Sequence, residues 1–302
     1  IVSALRAGSV VAIPTETVYG LGADGLNEDA VARIFAIKGR PSNNPLILHA
    51  ADVEHAKSLV AQWPAAAEEL AARFWPGPLT LVLPRRSHVP AAVTAGLETV
   101  AVRVPSHPVM QALIRRCGSP IAAPSANPYM GVSPTRASHV LRSLGDKLDW
   151  IVDGGPTTFG IESTVVGLHG TPTLFRRGSI SESALRESLP DLAVNGEADS
   201  EQPMASPGLA KRHYSPRAQL FIAQDAPLDC PLPIGRISRG PTDDGNGLTI
   251  SLPDEPQGYA AGLFSALHEL DALGCETILV EPPPSDESWA AIWDRLERAA
   301  YR

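Results

Sequence analysis

In a chain whose formal net charge is -8, the basic residues that could do chemistry sit where loops leave apolar runs. They are Lys38 and Arg40 in "KGRP", Arg103 in "VRVP", Arg176 and Arg177 in "FRRG", and Lys211 and Arg212 in "AKRHY". Each has a plain structural reading when taken singly. Lys38 suits the carboxyl end of a helix dipole, and strand-end arginines are commonly solvated. Together they describe cations converging on strand ends, which is how an open α/β sheet builds an anion site. Small polar groups accompany them: Thr15 and Thr17 flank Glu16, Ser125 and Asn127 lie in "PSAN", Ser133 precedes a helical pattern, and Ser163 and Thr164 follow Glu162. Such residues cap helices and form turns; beside Pro and Gly they also suit hydrogen bonds to a phosphate, a ribose or an amino acid. The chain contains no Gly-x-x-x-x-Gly-Lys-[Ser/Thr] loop, and it offers no serine elbow, paired histidines or cysteine nucleophile. Its chemistry must rest on positioning and charge.

"PTETVYGLGADG" spells Gly20-x-Gly22-x-x-Gly25, the pattern of a dinucleotide-binding turn. That turn should join strand to helix directly, so that a pyrophosphate meets the helix N-terminus. Here Pro14 to Tyr19 intervene after the apolar run, and Asp52 is only a passable ribose ligand. Isolated glycine patterns of this kind arise often by chance, and glycine's tolerance of positive φ supplies a simpler reason for them. The glycines are expected to shape a loop behind a binding pocket.

The elements that must position these residues follow from hydrophobic period and capping. "VVAI", "PLILHA", "LTLVLP", "TVAVRVP", "PIAAPSAN", "DWIVDGG", "STVVGL" and "TLFRRG" read as β-rich runs alternating with helical patterns, an α/β domain with a mixed sheet. One helix is predicted from about Asp29 to Lys38, with Asn27 as N-cap and Gly39 after its end. Another is predicted from Pro108, after Ser106, to Gly118, and a third at the capping box Ser179-x-x-Glu182. Residues 190 to 207 are polar and without a period, as a linker is. Beyond them "QLFIA", "PIGRIS", "LTISLP" and "ETILVE" read as strands, and "YAAGLFSALHELDALGC" and "DESWAAIWDRLERAA" as amphipathic helices. The expected division is a catalytic α/β domain over 1–189, a linker or lid over 190–217, and a smaller Rossmann-like domain over 218–302. A length of 302 residues with 44% hydrophobic content fits two domains.

The acidic balance argues against a general nucleic-acid surface, which needs a basic face. Cys117, Cys230 and Cys275 are too scattered for a disulfide framework or a zinc site, so a reducing cytoplasm is expected. No apolar run approaches the roughly 20 residues that span a bilayer. The chain opens on Ile1 rather than Met, which leaves room for residues before it, and Ile1 to Gly8 is too short for a signal peptide.

In order and at plausible spacing, "PTETVYGLGADG", "KGRPSNNPLILH", "VRVPSHP", "PSAN…SPT" and "IESTVV" resemble the YrdC-like domain of L-threonylcarbamoyladenylate synthases. "SPGLAKRHYSP" and the segment after it resemble the longer, two-domain form. The resemblance implies a YrdC-like twisted sheet and a nucleotidyltransferase that joins L-threonine, bicarbonate and ATP into threonylcarbamoyl-AMP and pyrophosphate. It further implies that the product passes to a separate transferase that modifies the adenosine just 3′ of certain tRNA anticodons. By resemblance Thr17, His49, Arg103 and Ser163 hold threonine, with Ala123 in the pocket wall. Lys38, Arg40, Asn44, Thr99, Ser125, Ser133 and Arg176 hold ATP and its leaving pyrophosphate, Lys38 and Arg40 carrying the catalytic charge. Mg2+ is expected with ATP, but no carboxylate cluster marks protein ligands for it.

"SPGLAKRHYSP" is too rich in Lys, Arg, His and Tyr for a passive tether. It is expected to fold over the site as a lid, with His213 and Tyr214 against the nucleotide and Lys211 or Arg212 near its phosphates. Three departures from the family pattern stand out. Tyr129 and Met130 replace small residues, Gly167 stands where an aspartate is common, and Arg177 lies beside Arg176 as a substitute for it. The alternative is a non-catalytic RNA-binding factor using a basic concavity, disfavoured because aromatic residues do not interleave with the basic ones.

Overall fold

The computed structural model describes residues 1–194, 212–241 and 248–301. The first part runs α1 (Val2–Arg6), β1 (Val11–Ile13), β2 (Gly20–Asp24), α2 (Glu28–Lys38), β3 (Ile47–His49), α3 (Val53–Leu59), α4 (Ala65–Phe74), β4 (Leu79–Pro84) and α5 (Ala91–Thr94). It continues through β5 (Thr99–Arg103), α6 (Pro108–Cys117), β6 (Ile121–Ala122), α7 (Ala137–Leu144), β7 (Thr164–Gly167), β8 (Thr173–Arg176), α8 (Glu182–Arg186) and β9 (Ala193–Val194). The second part comprises β10 (Gln219–Ile222), β11 (Ile234–Arg239), β12 (Thr249–Leu252), α9 (Pro256–Ala272), β13 (Thr277–Val280) and α10 (Ala290–Ala300).

The first nine strands form one mixed sheet in the order β1-β2-β6-β3-β5-β4-β7-β8-β9. Only the β3–β5, β4–β7 and β8–β9 pairs are parallel within it. The last four strands form a parallel sheet, β10-β13-β11-β12, as the Rossmann-like expectation required. Because β9 pairs with β8, the large sheet extends to Val194 and not only to Leu189. The polar run after Leu189 therefore begins by completing an edge strand.

Local chemistry explains the boundaries. The Asn27 side chain accepts from the Ala30 amide to start α2, and Gly39 at φ 63° stops it in the left-handed conformation that glycine tolerates. The His107 ring caps α6, which begins at Pro108 as expected, and one cap differs from expectation: Ser181, not Ser179, accepts from the Ala184 amide at the start of α8. "DWIVDGG" contributes only a single bridge from Ile151 to Ala12.

The "GLGADG" glycines are the main correction. They lie on and just after strand β2, not in a loop, and none takes a positive φ. A Cβ at Gly22 would lie 2.6 Å from Ile13 Cδ1, and one at Gly25 would lie 2.5 Å from Leu48 Cδ2 and 3.0 Å from the Pro120 carbonyl. These positions are glycine because neighbouring strands and side chains approach too closely for a Cβ. Gly167 has the same cause: its Cβ would meet the Phe175 ring at 2.3 Å, which leaves no room for an aspartate.

The two parts share apolar core. Val18, Val132 and Ile161 from the first part pack in one cluster with Tyr214, Tyr259, Leu263 and Phe264 of the second. Among the described residues, no helix is long and apolar enough to cross a membrane.

Candidate active site

A cavity lies where the ends of β3, β5 and β8 meet the loops after β1 and β6. Parallel register pairs His49 with Arg103, so both side chains leave their strands at the same level. Arg103 is held on three sides: Nε donates to the Gly77 carbonyl (3.1 Å), Nη1 to Thr17 Oγ1 (3.0 Å), and Nη2 forms a 2.7 Å ion pair with Glu16. Burial alone would raise the Glu16 pKa, but the Arg103 charge and hydrogen bonding outweigh it and hold it below the usual value. Thr17 is fixed in turn by Thr15, whose hydroxyl lies 2.9 Å from that of Thr17 and donates to the Val18 carbonyl. His49 Nδ1 lies 3.3 Å from the Ile121 carbonyl. Burial, reinforced by the Arg103 charge, lowers its pKa to about 3, so the ring is neutral.

On the opposite side, Arg40 Nε and Nη2 donate to the Asn44 carbonyl and side-chain oxygen, and Nη2 also reaches the Pro45 carbonyl. Asn44 therefore serves as the brace of Arg40. Arg176 Nε donates to the Ser163 carbonyl and its Nη2 to Ser163 Oγ, both at 3.0 Å, while Thr80 holds the same hydroxyl at 2.8 Å. Arg177, by contrast, is half-buried, pairs with Glu182 and does not line this cavity, so it does not substitute for Arg176. Lys38 points Nζ at the carbonyls of Ser125 and Asn127 and thereby ties the "PSAN" turn to the end of α2.

The cavity brings together Thr17, Arg40, His49, Arg103, Ala123, Ser125, Ser163, Arg176, His213 and Tyr214. Lys38, Asn44 and Ser133 stand one layer behind this lining. Ser133 donates to Glu162, a wall residue. Thr99 lies at the other end of β5 from Arg103, paired with Pro84, and is not brought to the cavity. Of the expected lid, residues 206–211, with Lys211, fall outside the described residues. Arg212 is exposed, with its nearest polar partner Ser215.

Tyr214 is wholly buried at φ 57°, and its hydroxyl and His213 Nδ1 have no hydrogen-bond partner. Buried polar atoms left open on a cavity wall are suited to a ligand. Tyr129 stands edge-on to the His213 ring at 6.5 Å, so this departure from the small residues of the family pattern faces the 213–214 segment.

Two residues of the site were not singled out in the sequence. Glu162 accepts from Ser133 at Oε1 and from Arg295 Nε at Oε2, 2.9 Å away. Arg295 comes from α10, and its signal was available: it interrupts the apolar stripe Ile292, Leu296, Ala299, where a charge must find a buried partner.

The charge balance states what the cavity wants. Lys38, Arg40, Arg103 and Arg176 are buried cations, whereas Glu16 and Glu162 are the buried carboxylates among them. Burial and then mutual repulsion push Lys38 well below its ordinary pKa, and burial lowers Arg40 to about 10. An anion entering here relieves that cost. These four basic groups are buried in and behind the cavity walls rather than spread along a surface. Among the described residues no group of three or more His, Cys, Asp or Glu could hold a metal, and Cys117, Cys230 and Cys275 are free thiols.

Comparison with known proteins gives a consistent result. Residues 3–178 match the sequence family described as "Telomere recombination", and residues 180–301 match "Threonylcarbamoyl-AMP synthase, C-terminal domain". The threonylcarbamoyl-AMP synthase of Bacillus subtilis is 41% identical over 98% of this chain and 90% of its own length. That of Pyrococcus abyssi is 40% identical over 99% and 92%. The crystal structure of P. abyssi Sua5 complexed with L-threonine superposes with a TM-score of 0.91 at 36% identity, covering 99% of this chain and 92% of that one.

Proposed function

We propose that this chain, which belongs to the threonylcarbamoyl-AMP synthase family in its two-domain form, condenses L-threonine, bicarbonate and ATP into threonylcarbamoyl-AMP and pyrophosphate. The observation that carries the reading is the cavity lined by Arg40, Arg103 and Arg176, with neutral His49 beside Arg103 and more cationic than anionic groups around it. The threonine nitrogen attacks the bicarbonate carbon, water leaves, and the resulting carbamate oxygen attacks the α-phosphorus of ATP as pyrophosphate departs. Such a transfer needs alignment and charge neutralisation more than a protein nucleophile.

Arg103 is the anchor for the threonine carboxylate, because its planar fork is already oriented by Gly77, Thr17 and Glu16. His49, Ser163 and Ala123 complete that half of the pocket. Arg40 and Arg176, with Ser125, His213 and Tyr214, face the nucleotide; Lys38, Asn44 and Ser133 act by holding those groups in place. Mg2+ enters as part of the nucleotide substrate, bound by its phosphates. His213 and Tyr214 close the mouth, and excluding water there protects a mixed anhydride that hydrolyses readily. The natural setting is the cytoplasm, where a separate transferase consumes the product in tRNA modification.

The test is product identification. Purified protein incubated with ATP, L-threonine and isotopically labelled bicarbonate should yield threonylcarbamoyl-AMP carrying the label at the carbamoyl carbon. Formation of AMP and pyrophosphate with no labelled adduct would contradict the proposal.

A further inference from the structure

Three walls of the cavity meet on one helix of the small domain. The Arg295 side chain on α10 is wholly buried. Its Nε pairs with Glu162 Oε2 at 2.9 Å, its Nη2 donates to the Arg177 carbonyl at 2.9 Å, and Nη1 bonds Asp294. Its guanidinium carbon stands 5.0 Å from the centre of the Tyr214 ring. One turn further on, the Arg298 carbonyl accepts from the His213 amide. Glu162 passes the contact to Ser133, and Arg177 follows Arg176, whose guanidinium grips Ser163.

We propose that Arg295 is a positioning residue through which the small domain fixes the nucleotide side of the cavity. A guanidinium offers in-plane donors on three nitrogens and a flat face for an aromatic ring, and Arg295 uses all of them at once. No other side chain can join a carboxylate, a backbone carbonyl and a tyrosine face in this way. The walls it joins are the Glu162 carboxylate with Ser133 behind it, the end of β8 and the 213–214 segment. Arg103, Thr17 and His49, on the threonine side, have no contact with it. The inference rests on the synthase reading of the cavity, and it makes the small domain part of the active site rather than an appended module.

The consequence is a split between the two substrates. Arg295→Lys keeps the positive charge that Glu162 requires but loses the fork and the flat face. In the full-length chain it should raise the ATP KM at least tenfold and lower kcat, while threonine affinity, measured alone by calorimetry, changes less than threefold. Glu162→Gln, which keeps hydrogen-bonding atoms but removes the charge, should move the same parameters in the same direction. Glu297→Ala, on the exposed face of α10, should change none of them. Thermal unfolding and active-site titration on each variant separate misplacement from loss of fold. ATP KM and kcat within twofold of wild type in folded Arg295→Lys would overturn the proposal. So would a loss of activity that merely tracks the fraction of unfolded protein while the folded fraction keeps its ATP KM. A wild-type protein that makes no threonylcarbamoyl-AMP would instead remove the synthase reading itself.

Discussion

In the proposed reaction Arg103 anchors the threonine carboxylate, and its surroundings set what each substitution should do. A charge-assisted contact contributes about 1.5 to 3 kcal/mol. Arg103→Ala should therefore raise the threonine KM by roughly ten- to 150-fold and leave ATP binding near normal. The same change strands Glu16 in a buried position, so the melting temperature should fall as well. Steady-state kinetics with each substrate varied checks this; collapse of ATP affinity with threonine affinity intact would mean that the two halves of the cavity have been exchanged. In the proposed reaction Lys38 and Arg40 serve the nucleotide half. Negative charge shifts onto the leaving pyrophosphate, so Lys38→Ala and Arg40→Ala should both depress kcat at saturating ATP. Lys38 would act by loosening the "PSAN" turn and Arg40 by direct loss of charge. Near-wild-type turnover in both would reduce them to structural residues. That Arg40 and Arg103 gather at one cavity was legible in the sequence because the motifs fix residue types. The division of site residues into lining and bracing was not, since Asn44 and Ser133 act through partners that only the folded backbone brings close.

Among the elements, β2 shows how a motif can be spelled correctly and mean something else. Gly20, Gly22 and Gly25 follow the dinucleotide spacing, yet they run along a strand packed against Ile13, Ala123 and Leu48. Gly25→Ala should destabilise the chain by about 1 to 3 kcal/mol, the usual cost of overpacking a tight site. Urea unfolding would show it, and an unchanged midpoint would mean that the close approach is readily relieved. Strong local signals were readable without the structure: the Asn27 cap and Gly39 stop of α2 hold as expected. The start of α8 was misplaced by two residues because Ser179 and Ser181 carry the same capping chemistry, and only backbone direction chooses between them. The edge strand β9 was missed because both its residues are exposed, which leaves no alternating pattern to read.

For the whole molecule, the division into two parts could be read from composition, whereas their joining could not. Val18, Val132 and Ile161 look like ordinary core of the first part but pack in the cluster of the second. The joint also carries a titratable pair. His139 on α7 and His268 on α9 stack at 4.1 Å, and His268 Nε2 lies 3.2 Å from the Ser133 carbonyl. Burial first, then the neighbouring His268, Arg142 and Arg136, lowers His139 to about 3. Burial lowers His268 to about 4, with Arg142 adding to the shift and the Ser133 carbonyl and Asp271 opposing it. The unfolded chain therefore binds more protons than the folded one between the ordinary value of 6.5 and these lowered values. Their stabilising contribution is complete above that ordinary value and is lost as pH falls below it. Melting temperature should drop from pH 7 to pH 5, and less steeply in His268→Gln, which keeps a donor for the Ser133 carbonyl. An identical pH slope in that variant would place the acid sensitivity elsewhere.

The central claim is that one cationic cavity couples threonine, bicarbonate and ATP in a single reaction. Pyrophosphate release by the full chain, with each substrate omitted in turn, tests it most directly. Release should require all three and should favour threonine over serine by roughly 1 to 3 kcal/mol in kcat/KM, the scale on which a packed pocket senses one methyl group. Pyrophosphate released from ATP without any amino acid would contradict the claim outright.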